Sequence, residues 1–197
     1  GFLGEGTLQA RYIRGATGGK PFTLGKYEST RTRAAIAELI ANGGAPMGFY
    51  TRFTNAKARK VITQYYQFIR RHAPIYKGNQ PAAESVLLFP RKAVHAGNVA
   101  AVKSFLEHGD AMLGQHILFD VLPDDLATPK ALAGYKAVYR VDGNDPQTSS
   151  RFKITAPKTV RTSLSRPAKG DALHLHFVNY NRTEPNKPKS AGGGIHD

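Results

Sequence analysis

Ser85-Val86-Leu87-Leu88-Phe89-Pro90, Ile117-Leu118-Phe119-Asp120-Val121 and Tyr135-Lys136-Ala137-Val138-Tyr139 are three short apolar runs, and what separates them decides the fold. Each is continuous rather than alternating, as expected of strands buried on both faces. Between the first two, Val99, Val102, Phe105, Leu106 and Met112 recur at helical spacing over 97–113. Between the second and third, Pro123-Asp124-Asp125-Leu126 is a helix-start signal. Strand, helix, strand, short helix, strand predicts a parallel sheet over 84–138 with right-handed crossovers.

Upstream, residues 1–25 are glycine-rich and read as loops around a short strand or two. After Glu28-Ser29-Thr30, the residues Ala34, Ala35, Ile36, Leu39 and Ile40 share one helical face, and Asn42-Gly43-Gly44 supplies the stop. Residues 48–53 fit a strand or an aromatic loop. Asn55 then caps a second helix with Val61, Ile62, Tyr65, Phe68 and Ile69 on its inner side, which Pro74 ends. Residues 76–81 read as a linker.

Downstream, Asp142-Gly143-Asn144-Asp145-Pro146 is a turn cluster, and alternation returns over 151–154 and 160–164. Residues 172–180 alternate clearly. Leu173, Leu175, Phe177 and Asn179 fall on one face, with His174, His176, Val178 and Tyr180 on the other. Antiparallel strands are expected, followed by a mobile tail rich in Pro, Lys and Gly.

With 197 residues, 41% of them hydrophobic, the chain can bury a sizeable core. No apolar run approaches the roughly 18 residues of a spanning helix, and no basic-then-apolar leader opens the chain, so a soluble protein without a membrane partner is expected. The absence of cysteine excludes disulfides, thiolate metal sites and cysteine nucleophiles. Compartment is left open, leaning to secreted or periplasmic. A net charge of +14 favours polyanionic partners. The basic residues are nonetheless spread out, with short clusters at 57–60, 70–72 and 91–92, and no helix is expected to carry a continuous basic stripe. Zinc-finger spacing, an RNA-recognition aromatic motif and an Arg/Gly-rich tail are missing, which counts against a dedicated nucleic-acid binder.

Three stretches resemble parts of one kind of enzyme. The pattern from Gly25-Lys26-Tyr27-Glu28 through Arg33, Ala37-Glu38 and Ala41-Asn42-Gly43-Gly44-Ala45-Pro46 is similar to the last strand and helix of the (β/α)8 barrel in β-galactosidase-like and hypothetical glycosyl hydrolases. Tyr65-Tyr66-Gln67-Phe68, in the helix ending near His72, resembles the segment leaving such barrels. Glu84-Ser85-Val86-Leu87-Leu88-Phe89-Pro90 and the run from His116 through Leu126 to Val138 resemble the trimerisation domain of β-galactosidases, which has the flavodoxin-like fold of class I glutamine amidotransferases. Leu175-His176-Phe177-Val178-Asn179-Tyr180-Asn181-Arg182 is similar to a strand of the small β-sandwich that closes many of these enzymes.

The resemblance implies an α/β fold: a flavodoxin-like, class I amidotransferase-like parallel segment after a partial (β/α)8 barrel end, then a short antiparallel β segment. It divides the chain into a barrel end (1–75), a linker (76–82), an α/β domain (83–142), sandwich-like strands (143–182) and a mobile tail (183–197). The α/β domain is expected to be shortened, because a turn and β-patterned sequence follow Tyr139 almost at once. It implies a carbohydrate-active hydrolase working on oligo- or polysaccharide, assembled as a homo-oligomer, in which this chain provides subunit contacts and a sugar-site wall. Two alternatives stand beside it: a basic module for nucleic acid or acidic glycan, and a small autonomous hydrolase.

Glycoside hydrolysis commonly needs two carboxyl groups, about 5–5.5 Å apart for retention and about 6.5–9.5 Å for inversion. Glu28, which follows an apparent strand, and Glu5 are the expected catalytic pair. The plainer reading of Glu28 is a helix N-terminal carboxylate favoured by the dipole. Glu38, inside the predicted helix, is expected to be solvated. Tyr27, Arg31, Tyr50 and Arg52 are the expected sugar-binding residues, although aromatic residues at such spacings are more often core. An amidotransferase-like fold would also admit glutaminase chemistry, but that needs a cysteine or a G-x-S-x-G elbow, and the chain has neither. His174 and His176, about 7 Å apart on one strand face, would need His196 and more to bind zinc. An exposed polar face is expected there instead. No metal and no cofactor is expected.

Overall fold

Residues that read as loop near the start form a twelve-residue helix, α1 (Glu5–Ala16). Gly4 enters it at φ 98°, a left-handed conformation that glycine tolerates, and Glu5 and Arg14 sit at the ends their charges favour. Its inward side buries Leu8 and Ala10 together with Thr7, Arg11 and Arg14, so hydrophobic periodicity alone does not reveal it. The computed structural model describes residues 3–27, 32–45, 48–50, 55–143 and 150–181, with backbone alone at 26–27 and 48–50.

Two short strands follow, β1 (Gly25–Tyr27) and β2 (Gly48–Tyr50), with helix α2 (Thr32–Ala41) between them. They pair in parallel, Gly25 opposite Gly48 and Tyr27 opposite Tyr50. The helix ends where Gly43 takes φ 83° and the Gly44 N–H returns to the Leu39 carbonyl at 2.9 Å. Asn55 caps α3 (Ala56–Arg71), its Oδ1 accepting the Ala58 N–H at 3.0 Å. Next come a single turn, α4 (Ala73–Tyr76), and a two-residue strand, β3 (Gln80–Pro81), inside the stretch expected to be a linker.

The parallel sheet is present as the apolar runs require. It comprises β4 (Ser85–Phe89), β5 (Phe119–Pro123) and β6 (Ala137–Tyr139), in the order β5-β4-β6. Between them lie α5 (Arg91–His95), α6 (Ala100–Gly114), a 3-10 turn (Asp124–Leu126) and α7 (Pro129–Leu132). The first strand is central and the next two flank it, the flavodoxin-like arrangement. Leu87 pairs with Val121 on one side and Tyr139 on the other, so all three share a sheet face. Phe105, Met112 and Leu113 of α6 and Leu8 of α1 pack with them in the main core. α1 lies against β5, the end strand.

A second sheet, antiparallel and ordered β3-β7-β8, is formed by β3, β7 (Val160–Arg166) and β8 (His174–Asn179). The protein is therefore a mixed α/β fold with a three-stranded parallel sheet and a three-stranded antiparallel one. Residues 151–154 form no strand. Phe152 and Ile154 instead pack on Leu164, beside Ala82 and Leu118. The faces of β8 are also the reverse of the expected exposed polar side. His174 and His176 are half-buried and Val178 is buried, while Leu173, Leu175 and Phe177 are exposed. The reason is that α2 occupies the His176–Val178 side, where Ser163 of β7 donates to the Ala41 carbonyl at 2.6 Å.

Candidate functional site

In open parallel sheets the ligand crevice lies beyond the carboxyl ends of the strands where the connections reverse direction, here beyond β4. A cleft of about 330 Å³ opens there between the end of β4, α1, α5 and α6. That volume is within the usual range of small-molecule sites. Phe89, Phe105, Leu8 and Val102 supply its apolar floor, while Glu5, Gln9, Tyr12, Arg91 and His95 supply polar groups. The floor is held by ring contacts: Tyr12 stands 4.6 Å from Phe89, and Phe89 meets Phe105 edge-on at 5.0 Å.

Arg91 is positioned by Asp125. Its Nε donates to the two carboxylate oxygens at 2.8 and 3.0 Å. The Arg91 bond holds the Asp125 carboxyl below the ordinary range. Asp124 accepts the Lys92 N–H at 3.1 Å. The loops after β4 and β5 are thus joined by their own charges, and the carboxylates that follow β5 are engaged in structure.

A second polar cluster lies beneath α1. Arg14 pairs with Asp120 at 3.1 Å and reaches the Asn42 carbonyl at 3.1 Å. Tyr135 donates to the other Asp120 oxygen at 3.1 Å. Arg11 donates to Asn42 Oδ1 at 2.9 Å and to the Thr162 carbonyl at 2.7 Å, and lies over the Phe119 ring. Burial brings the Arg11 guanidinium down to about 10, which leaves it cationic at neutral pH. Burial pushes the Asp120 carboxyl up, against the pull of Arg14 and Arg11. These groups hold elements together and do not open on the cleft.

The expected site residues are distributed as follows. Glu5 lines the cleft. Tyr27 and Tyr50 are register partners at the ends of β1 and β2. Glu28, Arg31 and Arg52 lie outside the described residues, as does His196. Glu38, expected to be solvated, is half-buried and accepts the Thr7 hydroxyl at 2.6 Å. Gln9, Tyr12, Arg91 and His95 line the cleft as well. Tyr12 and Gln9 depend on α1, whose buried side mixes Leu8 and Ala10 with Arg11 and Arg14, whereas Pro90-Arg91 directly after a buried strand is a usable pointer.

Among the described residues no cluster of three metal-ligating side chains occurs, and no helix is long and apolar enough to cross a membrane. No protein-family model matches the chain, and neither the curated proteins nor the solved structures give a match.

Proposed function

We propose that this chain is part of a carbohydrate-active glycoside hydrolase, contributing a wall of the sugar site and subunit contacts, with hydrolysis of O-glycosidic bonds where the active site is complete. The observation that carries this reading is the cleft beyond β4, an aromatic floor rimmed by Glu5, Gln9, Tyr12, Arg91 and His95. Aromatic faces suit the apolar side of a pyranose ring, and the rim offers donors and acceptors for hydroxyls. The parallel β1–α2–β2 unit ahead of a flavodoxin-like sheet fits the order expected of such enzymes. Lack of cysteine removes the amidotransferase reaction and leaves that sheet a scaffold role.

Glu5 is the one carboxylate among the described residues lining this cleft. Hydrolysis commonly uses two, and in this reading the chain supplies one wall of the site. For subunit contacts, exposed Leu175 on the end strand β8 and exposed Leu173 just before it are the supporting feature. Titration of neutral oligosaccharides, followed by NMR, should shift the resonances of Tyr12, His95 and Glu5, and Glu5→Gln should weaken binding several-fold. Absence of any shift at those three residues across cello-, xylo- and galacto-oligosaccharides would overturn the reading. Sedimentation equilibrium decides the oligomer separately.

A further inference from the structure

A second surface, between α3 and β8, brings aromatic side chains and basic charge together. Two small cavities, of about 120 and about 60 Å³, both include Ala37, Tyr65, Phe177 and Val178 in their walls, and so form one trough. Along it Phe68 stands 6.4 Å from Tyr76, and Tyr76 stacks on His176 at 5.6 Å. Two of its rings face solvent, Phe68 at 49% and Phe177 at 57% exposure, which is unlike core packing.

The charge beside it is one-sided. Between 55 and 81 there is no Asp or Glu, while Lys57, Arg59, Lys60, Arg70, Arg71 and Lys77 are all present. Between 150 and 181, Asp171 is the single carboxylate. With α3 spanning Ala56–Arg71, the residues Lys57, Lys60, Gln64, Phe68 and Arg71 fall on one helical face, and all are exposed. Three of the five are basic, so this face sets positive charge on either side of an open phenylalanine without forming a continuous basic stripe.

We propose that the trough between α3 and β8 binds an acidic oligosaccharide, its rings stacking on Phe68 and Phe177 and its carboxylate or sulfate groups meeting the Lys57–Lys60–Arg71 side of α3. Charge complementarity selects an anionic occupant, and the long side chains of lysine and arginine suit dispersed carboxylates and sulfates. At this trough a second copy of this chain would have to set carboxylates against α3, and the chain carries 14 Asp and Glu against 28 Lys and Arg. The choice of a glycan over a nucleic acid rests on the carbohydrate reading above. Single-stranded nucleic acid uses the same combination of stacking and charge and is the competing outcome.

Calorimetric titration of the full chain with a heparin-derived hexasaccharide tests this. Phe68→Ser and Phe177→Ser change exposed residues and no charge, and each should weaken binding several-fold, because the apolar side of a sugar ring loses the aromatic face that covers it. Lys60→Ala with Arg71→Ala should weaken binding and flatten its salt dependence more than Lys103→Ala with Lys130→Ala, which removes equal charge elsewhere. Three results overturn the proposal: unchanged binding by both phenylalanine variants, equal losses from the two charge pairs, or tighter binding of a single-stranded DNA of matched charge. Resonances of Glu5 and Tyr12 with neutral oligosaccharides report on the cleft independently, so either reading can fail while the other stands.

Discussion

Arg14 Nη2 stands 3.1 Å from Asp120 Oδ1, and through this nearly buried pair the first helix is fastened to the end strand of the parallel sheet. The pair is not isolated, because Tyr135 completes Asp120 and the Asn42 carbonyl completes Arg14. One cluster thereby joins α1, the end of α2, β5 and the turn before β6. Where a buried pair has its remaining hydrogen bonds filled, removing one partner costs more than the pair contributes, since the other charge is left uncompensated.

Asp120→Ala should therefore lower unfolding free energy by about 3–5 kcal/mol, read from urea denaturation at neutral pH. Asp120→Asn, which can still accept from Tyr135, should cost less. A loss under about 1 kcal/mol for the alanine variant, the size of an exposed pair, would mean that Arg14 finds water on its own.

Gly15 is the contact point of the same helix with β5. A Cβ there would overlap the Val121 carbonyl oxygen and stand 3.1 Å from its carbon. In an exposed helix interior, alanine is better than glycine by about 1 kcal/mol. Here the sign should reverse, because the obstacle is backbone and cannot rotate away. Gly15→Ala should destabilise by about 1–3 kcal/mol, whereas Gly134→Ala, with open space around it, should be close to neutral. Thermal melts of the two variants compare them directly.

What was legible in the sequence, and what was not, follows from how each element meets its neighbours. β4, β5 and β6 are buried on both faces, so their composition alone carries the signal, and Asn55 marks the start of α3 by a local bond. α1 was hidden because it buries arginines through specific partners, Asp120, Asn42 and Thr162, that lie far along the chain. The alternation of β8 is legible in its sequence, but its inward side is not. Burial there is decided by α2 packing over His176 and Val178, and polarity pointed the other way. Of the expected site, Glu5 reaches a cleft, while the lining that surrounds it depends on the helix whose buried side carries arginines.

Helix α3 rests on its cap to an unusual degree. Ala58 and Val61 are its buried residues, so tertiary packing offers it little. Asn55→Ala removes the acceptor for the Ala58 N–H and should cost about 0.5–2 kcal/mol. The loss should appear locally: amide exchange should speed up over the first turns of α3 and stay unchanged in β4 and β5. Equal acceleration in the parallel sheet would show that α3 unfolds only with the whole protein.

His176 gives the fold an acid sensitivity with a definite sign. Burial, and then the neighbouring His174, hold its imidazole below the usual value of 6.5. The groups around it offer no compensating charge: the Tyr76 ring is stacked on it, Ser165 Oγ is 3.4 Å from Nε2, and Asn79 sits between Ser165 and His174. An unfolded chain takes up this proton first, so the stabilisation is complete above about pH 6.5 and is lost as pH falls through the lower folded value. Denaturation midpoints measured from pH 7.5 down to 5 should therefore decline. His176→Phe keeps a ring against Tyr76 and cannot titrate, so its decline over the same interval should be shallower. Parallel curves for the two proteins would place the sensitivity elsewhere.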